Sequence, residues 1–259
     1  LTPLADQARG GDLPERVRGL RRKVALERGL VVPTVRMRDN VSLPADTYAM
    51  RVNGVEVAPL VEIELNRRFP GRADRRAEEP GGLRVAWEVL ERTWTGTLER
   101  VATMPASAVD VSVAGEWSLA QTLRHLVYAT DMWLGRAILR IEQPFHPVGL
   151  AYTGAEGEVE VEGSDGSIFT TGTPLYRDVL VARAGRVAMV REFLAAVTAA
   201  ALAETRTNPH DPDCSESTLS CLHTILQEEW EHHRYAVRDL DEIEATLDAA
   251  PAATSAAQE

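Results

Sequence analysis

The chain has 259 residues, 44% of them hydrophobic and 26% charged, with a formal net charge of −11. That length holds one large or two smaller domains with a sizeable core, and the acidity excludes the broad basic face that nucleic-acid binding needs. No run of about 18 apolar residues occurs, so no membrane-spanning helix is expected. The opening Leu1, without Met or a signal-peptide pattern, is expected of a trimmed chain. Only two cysteines occur, Cys214 and Cys221. Seven apart on one helix start they would stand about 10 Å apart, too far for a disulfide, so a reduced, cytoplasmic setting is expected.

Residues 1–66 read as a small α+β unit of helix, strand and hairpin. Asp12 suits an N-cap, Leu13, Val17, Leu20 and Val24 form an apolar stripe, and Gly29 suits the stop. VVPTVRMRD then alternates as an extended stretch. TYAMRV faces VEVAPLVEIEL across Asn53-Gly54, the strongest short hairpin signal available. The run Arg38-Asp39-Asn40, Leu43-Pro44 and Tyr48, followed by GVEVA, resembles part of the cytoplasmic region of the FHIPEP family, the export-gate proteins of flagellar and type III secretion systems. The resemblance covers about fifty residues. It implies a borrowed module that docks a partner, packs on its own C-terminal domain, or serves as a stabilising appendage, and it transfers no functional residue.

Residues 67–82, charged and rich in Gly and Pro, read as a linker. Beyond it the helical period of Trp87, Leu90, Trp94, Leu98 and Val101 predicts a helix from Leu83 to about Met104. Trp87, Trp94 and Trp117 are expected in the core. Ser118 with Gln121 forms a capping-box pattern opening a second helix to about Ile141. Its adjoining face Ser118, Thr122, His125, Ala129, Met132 leaves room around His125. Residues 142–173 form a long crossover, with an acidic Gly-rich segment from Gly154 to Ser167 that reads either as a functional flap or as a surface insertion. Pro174 opens a third helix of about thirty residues. NPHDPDC turns into the last helix, and His210 there reads as a loop residue.

That last helix, Leu219 to Ile243, carries a seam of Leu222, Leu226, Glu229, His233, Ala236, Leu240 and Ile243. Glu229 and His233 stand one above the other on the face that should be driest, and bare burial of such groups costs several kcal/mol. Either they satisfy each other and nearby polar groups, or a metal ion satisfies both. Glu228 and His232 have the same spacing on a wetter face, so Glu229 and His233 are preferred. With His125 they would give three N/O ligands and an open position, the pattern of catalytic zinc or a similar divalent metal. The expected architecture is mainly α, a four-helix bundle over 83–247 preceded by the small α+β unit, with 248–259 as a disordered tail.

The motifs Trp117-Ser118 with His125-Leu126, and Glu229 with His233-Arg234, resemble the DinB-like superfamily, close to the branch of mycothiol-dependent maleylpyruvate isomerase and related thiol transferases. The resemblance implies an up-down-down-up bundle and a metal triad at His125, Glu229 and His233. Where many relatives read H-H-R-G-Q, this chain reads His232-His233-Arg234-Tyr235-Ala236. It implies a metal-dependent enzyme acting on a small molecule by thiol S-transfer or isomerisation. A divalent metal, zinc first, would act as a Lewis acid or lower the pKa of a water or a low-molecular-weight thiol such as mycothiol. Tyr128, Trp133, His146 and Arg234 are candidates for substrate contacts. Metal-dependent hydrolysis and a non-catalytic ligand- or partner-binding bundle are the alternatives. Neither nucleic acid nor membrane is expected as a partner, and a homodimer is left open.

Overall fold

A computed structural model describes residues 13–28, 35, 49–151 and 168–249. The chain divides into two compact units, Leu1–Glu64 and Leu65–Glu259. All but residue 35 of the extended stretch expected at 31–39, the RDN motif, the Gly-rich segment 154–167 and most of the C-terminal tail lie outside the described residues.

The first unit contains α1 (Leu13–Arg28) and a hairpin of β1 (Arg51–Val52) and β2 (Val55–Glu56). Asn53 (φ 50°) and Gly54 (φ 83°) are both left-handed, which is what the tight turn expected of Asn-Gly demands. The pairing is antiparallel, with Arg51 opposite Glu56. The second strand is shorter than its alternation suggested, because Ala58–Arg68 is helix α2. Pro59 explains this: its fixed φ suits a first helical turn, whereas in a strand it would remove a ladder donor.

In the second unit, residues 66–82 are no open tether. Gly71 (φ 93°) starts a 3₁₀ turn, Arg72–Arg76, whose Arg72 and Arg75 are buried. A Cβ at Gly71 would collide with Val89 Cγ1, so only glycine lets this segment lie on the bundle. Four long helices follow: α3 (Pro80–Ala102), α4 (Leu119–Thr130, continuing as a π-helix over Asp131–Ile138), α5 (Tyr176–Ala196) and α7 (Thr218–Ala249). Between α5 and α7 lie the single turn α6 (Ala199–Leu202) and a hairpin of β3 (Thr205–Thr207) with β4 (Ser215–Ser217). The long third helix expected to run through 205 breaks at Val197 and Thr198, because the Thr198 hydroxyl caps a new turn by accepting from Ala201 N–H.

Helices α3 and α4 each pack on both α5 and α7, so α5 and α7 face each other across the bundle diagonal. Side-chain pairs set the directions. Arg84 meets Leu194 and Glu91 meets Arg191, so α3 and α5 are antiparallel. Thr97 meets His233 and Arg100 meets Glu244, so α3 and α7 run together. Glu116 meets Arg238 and His125 meets Glu228, which makes α4 antiparallel to α7. The result is the up-down-down-up order, with the crossover joining two parallel helices. The core holds Trp87, Trp94 and Trp230 with Leu83, Leu90, Leu123, Leu126, Leu222, Ile225 and Leu240. Among residues 119–130 only Gln121 is not buried, so α4 is covered nearly all round.

The start of α4 is as its sequence prescribes. Ser118 Oγ accepts from Gln121 N–H at 3.3 Å, and Gln121 Oε1 accepts from Ser118 N–H at 2.9 Å. Ser118→Ala removes one acceptor from this capping box, and a loss of about 1 kcal/mol is expected in urea unfolding, with an unchanged far-UV spectrum.

Candidate metal centre

The seam of α7 is buried as expected: Leu222, Leu226, Glu229, His233, Ala236, Leu240 and Ile243 all lie inside. Its two polar members are satisfied by the protein. Glu229 pairs with Arg183 of α5, and both are buried. Burial raises the Glu229 pKa, and the Arg183 charge opposes that rise. His233 Nε2 lies 2.8 Å from Thr97 Oγ1, and Thr97 gives its own hydroxyl proton to Thr93 O. The ring therefore donates from Nε2, which leaves the unpartnered Nδ1 as a lone pair rather than an orphaned N–H. Phe69, Trp94 and Trp230 stand edge-on around this ring.

The residues that converge with His125 are instead the neighbouring pair, Glu228 and His232. The expected pair, Glu229 and His233, is not brought to His125. One residue along a helix turns the side chain by about 100°. That rotation points Glu229 and His233 at the α3–α5 side of the bundle, and Glu228 and His232 at α4. The dryness that favoured the seam pair belongs to a structural ion pair and a core histidine.

One ligating atom from each of His125, Glu228 and His232 lies within 4.8 Å of the others. Glu228 Oε2 stands 3.5 Å from His125 Nε2 and 3.2 Å from His232 Nε2. Burial alone would raise the Glu228 pKa, but hydrogen bonds from the two imidazoles outweigh it and bring it down to about 2. The carboxylate is thus ionised throughout the ordinary pH range. His125 Nδ1 lies 3.1 Å from the Leu150 carbonyl, an acceptor only. Nδ1 therefore carries a proton, and Nε2 is the nitrogen that faces the group.

Trp117 was expected in the core. It is half-buried against this group, 4.8 Å from the His125 ring and 6.1 Å from the His232 ring, nearly parallel to the latter at 18°. Its sequence position immediately before the Ser118 cap was the available signal. Tyr128 follows His125 by one turn, 6.0 Å away, and stacks on Phe145 at 5.6 Å. Burial pushes its phenol up to about 12, so it is a neutral donor.

The remaining candidates separate. Trp133 packs on His210 at 5.5 Å, and the Glu228 charge reaches His210, so this loop histidine lies nearer the group than its sequence suggested. His146 does sit on the crossover. Its main-chain N–H donates to Asp131 Oδ2 and its Nδ1 accepts from Val148 N–H, so its contacts are with the first residue of the π-helix and with its own loop. Arg234 pairs with Glu231, which also binds Arg72. It lies over the Tyr235 ring and takes part in a structural network rather than in the triad.

Residues 89–236, more than half of the chain, match the family model of the DinB superfamily. The chain belongs to the DinB superfamily. That superfamily includes metal-dependent enzymes. Residues 1–75 match the FHIPEP family. The flagellar biosynthesis protein FlhA of Bacillus subtilis is 52% identical over 58 residues, 22% of this chain and 9% of its own. The FlhA of Helicobacter pylori is 44% identical over 57 residues, 22% and 8% of the two chains. That of Yersinia enterocolitica is 40% identical over 146 residues, 51% and 19% of the two. The chain thus spans under a tenth of the length of the first two relatives. No solved structure matches it.

Two outcomes follow for the residues that the seam singled out in this DinB-superfamily chain. Glu229→Ala strands the buried Arg183 charge and is expected to cost about 3–5 kcal/mol in urea unfolding. The His233 pKa falls to about 4 through burial, against an ordinary value of about 6.5. Between these values the unfolded chain binds a proton that the folded chain refuses. The contribution is full above pH 6.5 and is lost as pH falls through 4, up to about 3 kcal/mol. Stability measured from pH 7 to 4 should fall less steeply in His233→Gln than in the wild type.

Proposed function

We propose that this chain is a metal-dependent enzyme acting on a small molecule, with His125 Nε2, His232 Nε2 and the Glu228 carboxylate as the metal ligands. What supports the reading is the convergence of two imidazoles and one ionised carboxylate from two facing helices, with one ring's tautomer set by a backbone carbonyl. Two nitrogens and one oxygen fit zinc first among divalent ions, and three protein ligands leave a position open. When bound, such a cation supplies Lewis-acid polarisation to an oxygen or sulfur atom of the substrate. The protein's own groups do the rest. The Leu150 carbonyl holds the His125 Nδ1–H, so Nε2 is the nitrogen that would take a cation in place of the proton it shares with Glu228. Trp117 offers a flat apolar wall against the His125 and His232 rings. Tyr128, protonated at neutral pH, can donate a hydrogen bond to an anionic substrate group.

The proposed reaction is thiol S-transfer or thiol-assisted isomerisation, with the thiol supplied by a low-molecular-weight cofactor such as mycothiol. Neither cysteine suits the part: Cys221 is buried, its thiol pushed up to about 11 by burial, and Cys214 is held by Asp211 on the hairpin loop. Hydrolysis at the same site is the alternative and needs no thiol, so rates with and without added thiol separate the two.

Elemental analysis of protein purified without a His-tag should find stoichiometric zinc or another divalent ion. Glu228→Ala and His232→Ala are expected to weaken zinc binding by more than the roughly 100-fold that outer-shell substitutions cost, while His233→Ala leaves it unchanged. Zinc retained by the first two variants and lost by the third would return the site to the seam.

A further inference from the structure

Arg124 precedes His125 and is buried, at 7% exposure. Buried arginines are almost always paired with a carboxylate. Among the described residues the Arg124 guanidinium meets two carbonyl oxygens. Its Nε donates to Val148 O at 2.9 Å and its Nη1 to Gly172 O at 3.4 Å. Val148 lies on the outgoing leg of the crossover and Gly172 on the returning leg. The legs also touch directly: Thr170 N–H donates to Pro147 O at 2.8 Å, and a Cβ at Gly149 would crowd Phe169 at 3.1 Å. Arg124 also meets the crossover through its backbone, accepting at its carbonyl from Leu150 N–H at 3.2 Å. Leu150 is the residue whose carbonyl holds His125 Nδ1. One guanidinium therefore spans both legs, two residues from the carbonyl that orients a candidate ligand.

We infer that Arg124 is a positioning residue for the metal centre: by clasping both legs of the crossover it fixes the Leu150 carbonyl, and through it the His125 ring with Nε2 toward Glu228 and His232. The inference rests on the proposed metal site. A fork of N–H donors is what the task requires. A lysine would keep the charge but offers a single point in place of the planar pair. Loss of the clasp frees the Leu150 carbonyl, lets the His125 ring exchange tautomers, and so weakens metal binding without removing a ligand.

The test uses the full chain and zinc alone. Arg124→Met should bind zinc about 10–100-fold more weakly in competition with a chromophoric chelator, with Arg124→Lys between it and the wild type. In the zinc-free protein, hydrogen exchange should speed up over residues 144–151 in Arg124→Met and stay unchanged over 219–243. Leu194→Ala, at the far end of α5, provides a variant destabilised in the core, and its zinc affinity should equal that of the wild type. If Arg124→Met does not fold, Arg124→Lys carries the comparison. Faster exchange with wild-type zinc affinity would overturn the positioning role and leave a structural clasp. Unchanged exchange over 144–151 would overturn the clasp itself. A wild-type chain that binds no zinc would instead overturn the metal site, a failure visible before any variant is compared.

Discussion

The orientation of α7 depends on one buried ion pair. Glu229 and Arg183 lie on the two helices that face each other across the bundle diagonal, where neither charge has water. An unpaired charge there would cost several kcal/mol, so any rotation of α7 that separates them is strongly disfavoured. The pair therefore works as a register pin. With Glu229 turned inward, Glu228 is turned toward α4, and His232 one turn on follows it. The carboxylate that could meet a metal owes its position to the neighbouring carboxylate that meets an arginine. His233 reinforces the same rotation through Thr97, with its ring kept neutral by burial among aromatic edges.

The sequence made the bundle legible, because period and caps act locally. Ser118 with Gln121 announced the start of α4, the seven seam positions of α7 are all buried, and Asn53-Gly54 turned where it should. What it hid was which of two adjacent Glu–His pairs meets His125. Both have the same spacing, and the deciding partner, Arg183, lies 46 residues away on a helix with no motif of its own. Dryness was a misleading guide: the most buried polar pair was the best satisfied one. A site that admits a substrate belongs on the wetter edge, where an indole such as that of Trp117 can be both wall and boundary. Pro59 carried a readable signal that the alternating apolar residues around it outweighed.

The two halves of the chain are held together by different means. The bundle has a continuous core with three buried tryptophans. Helix α2 has no buried residue, and Leu60, Val61 and Ile63, in its first-unit part, are exposed on it.

The π-helix at Asp131–Ile138 has a geometric consequence for the placement of Trp133. In an unbroken α-helix, Trp133 would stand about 80° around the axis from His125, since eight residues at 3.6 per turn overshoot two turns by that much. The wider π turn, with its i→i+5 bonds and roughly 4.4 residues per turn, takes up most of the overshoot. Trp133 then comes to within about 30° of the His125 face by the same reckoning. The widened turn acts as a phase corrector, bringing a side chain two turns away into line with the histidine. Because the correction is in the backbone, it would survive substitution of Trp133.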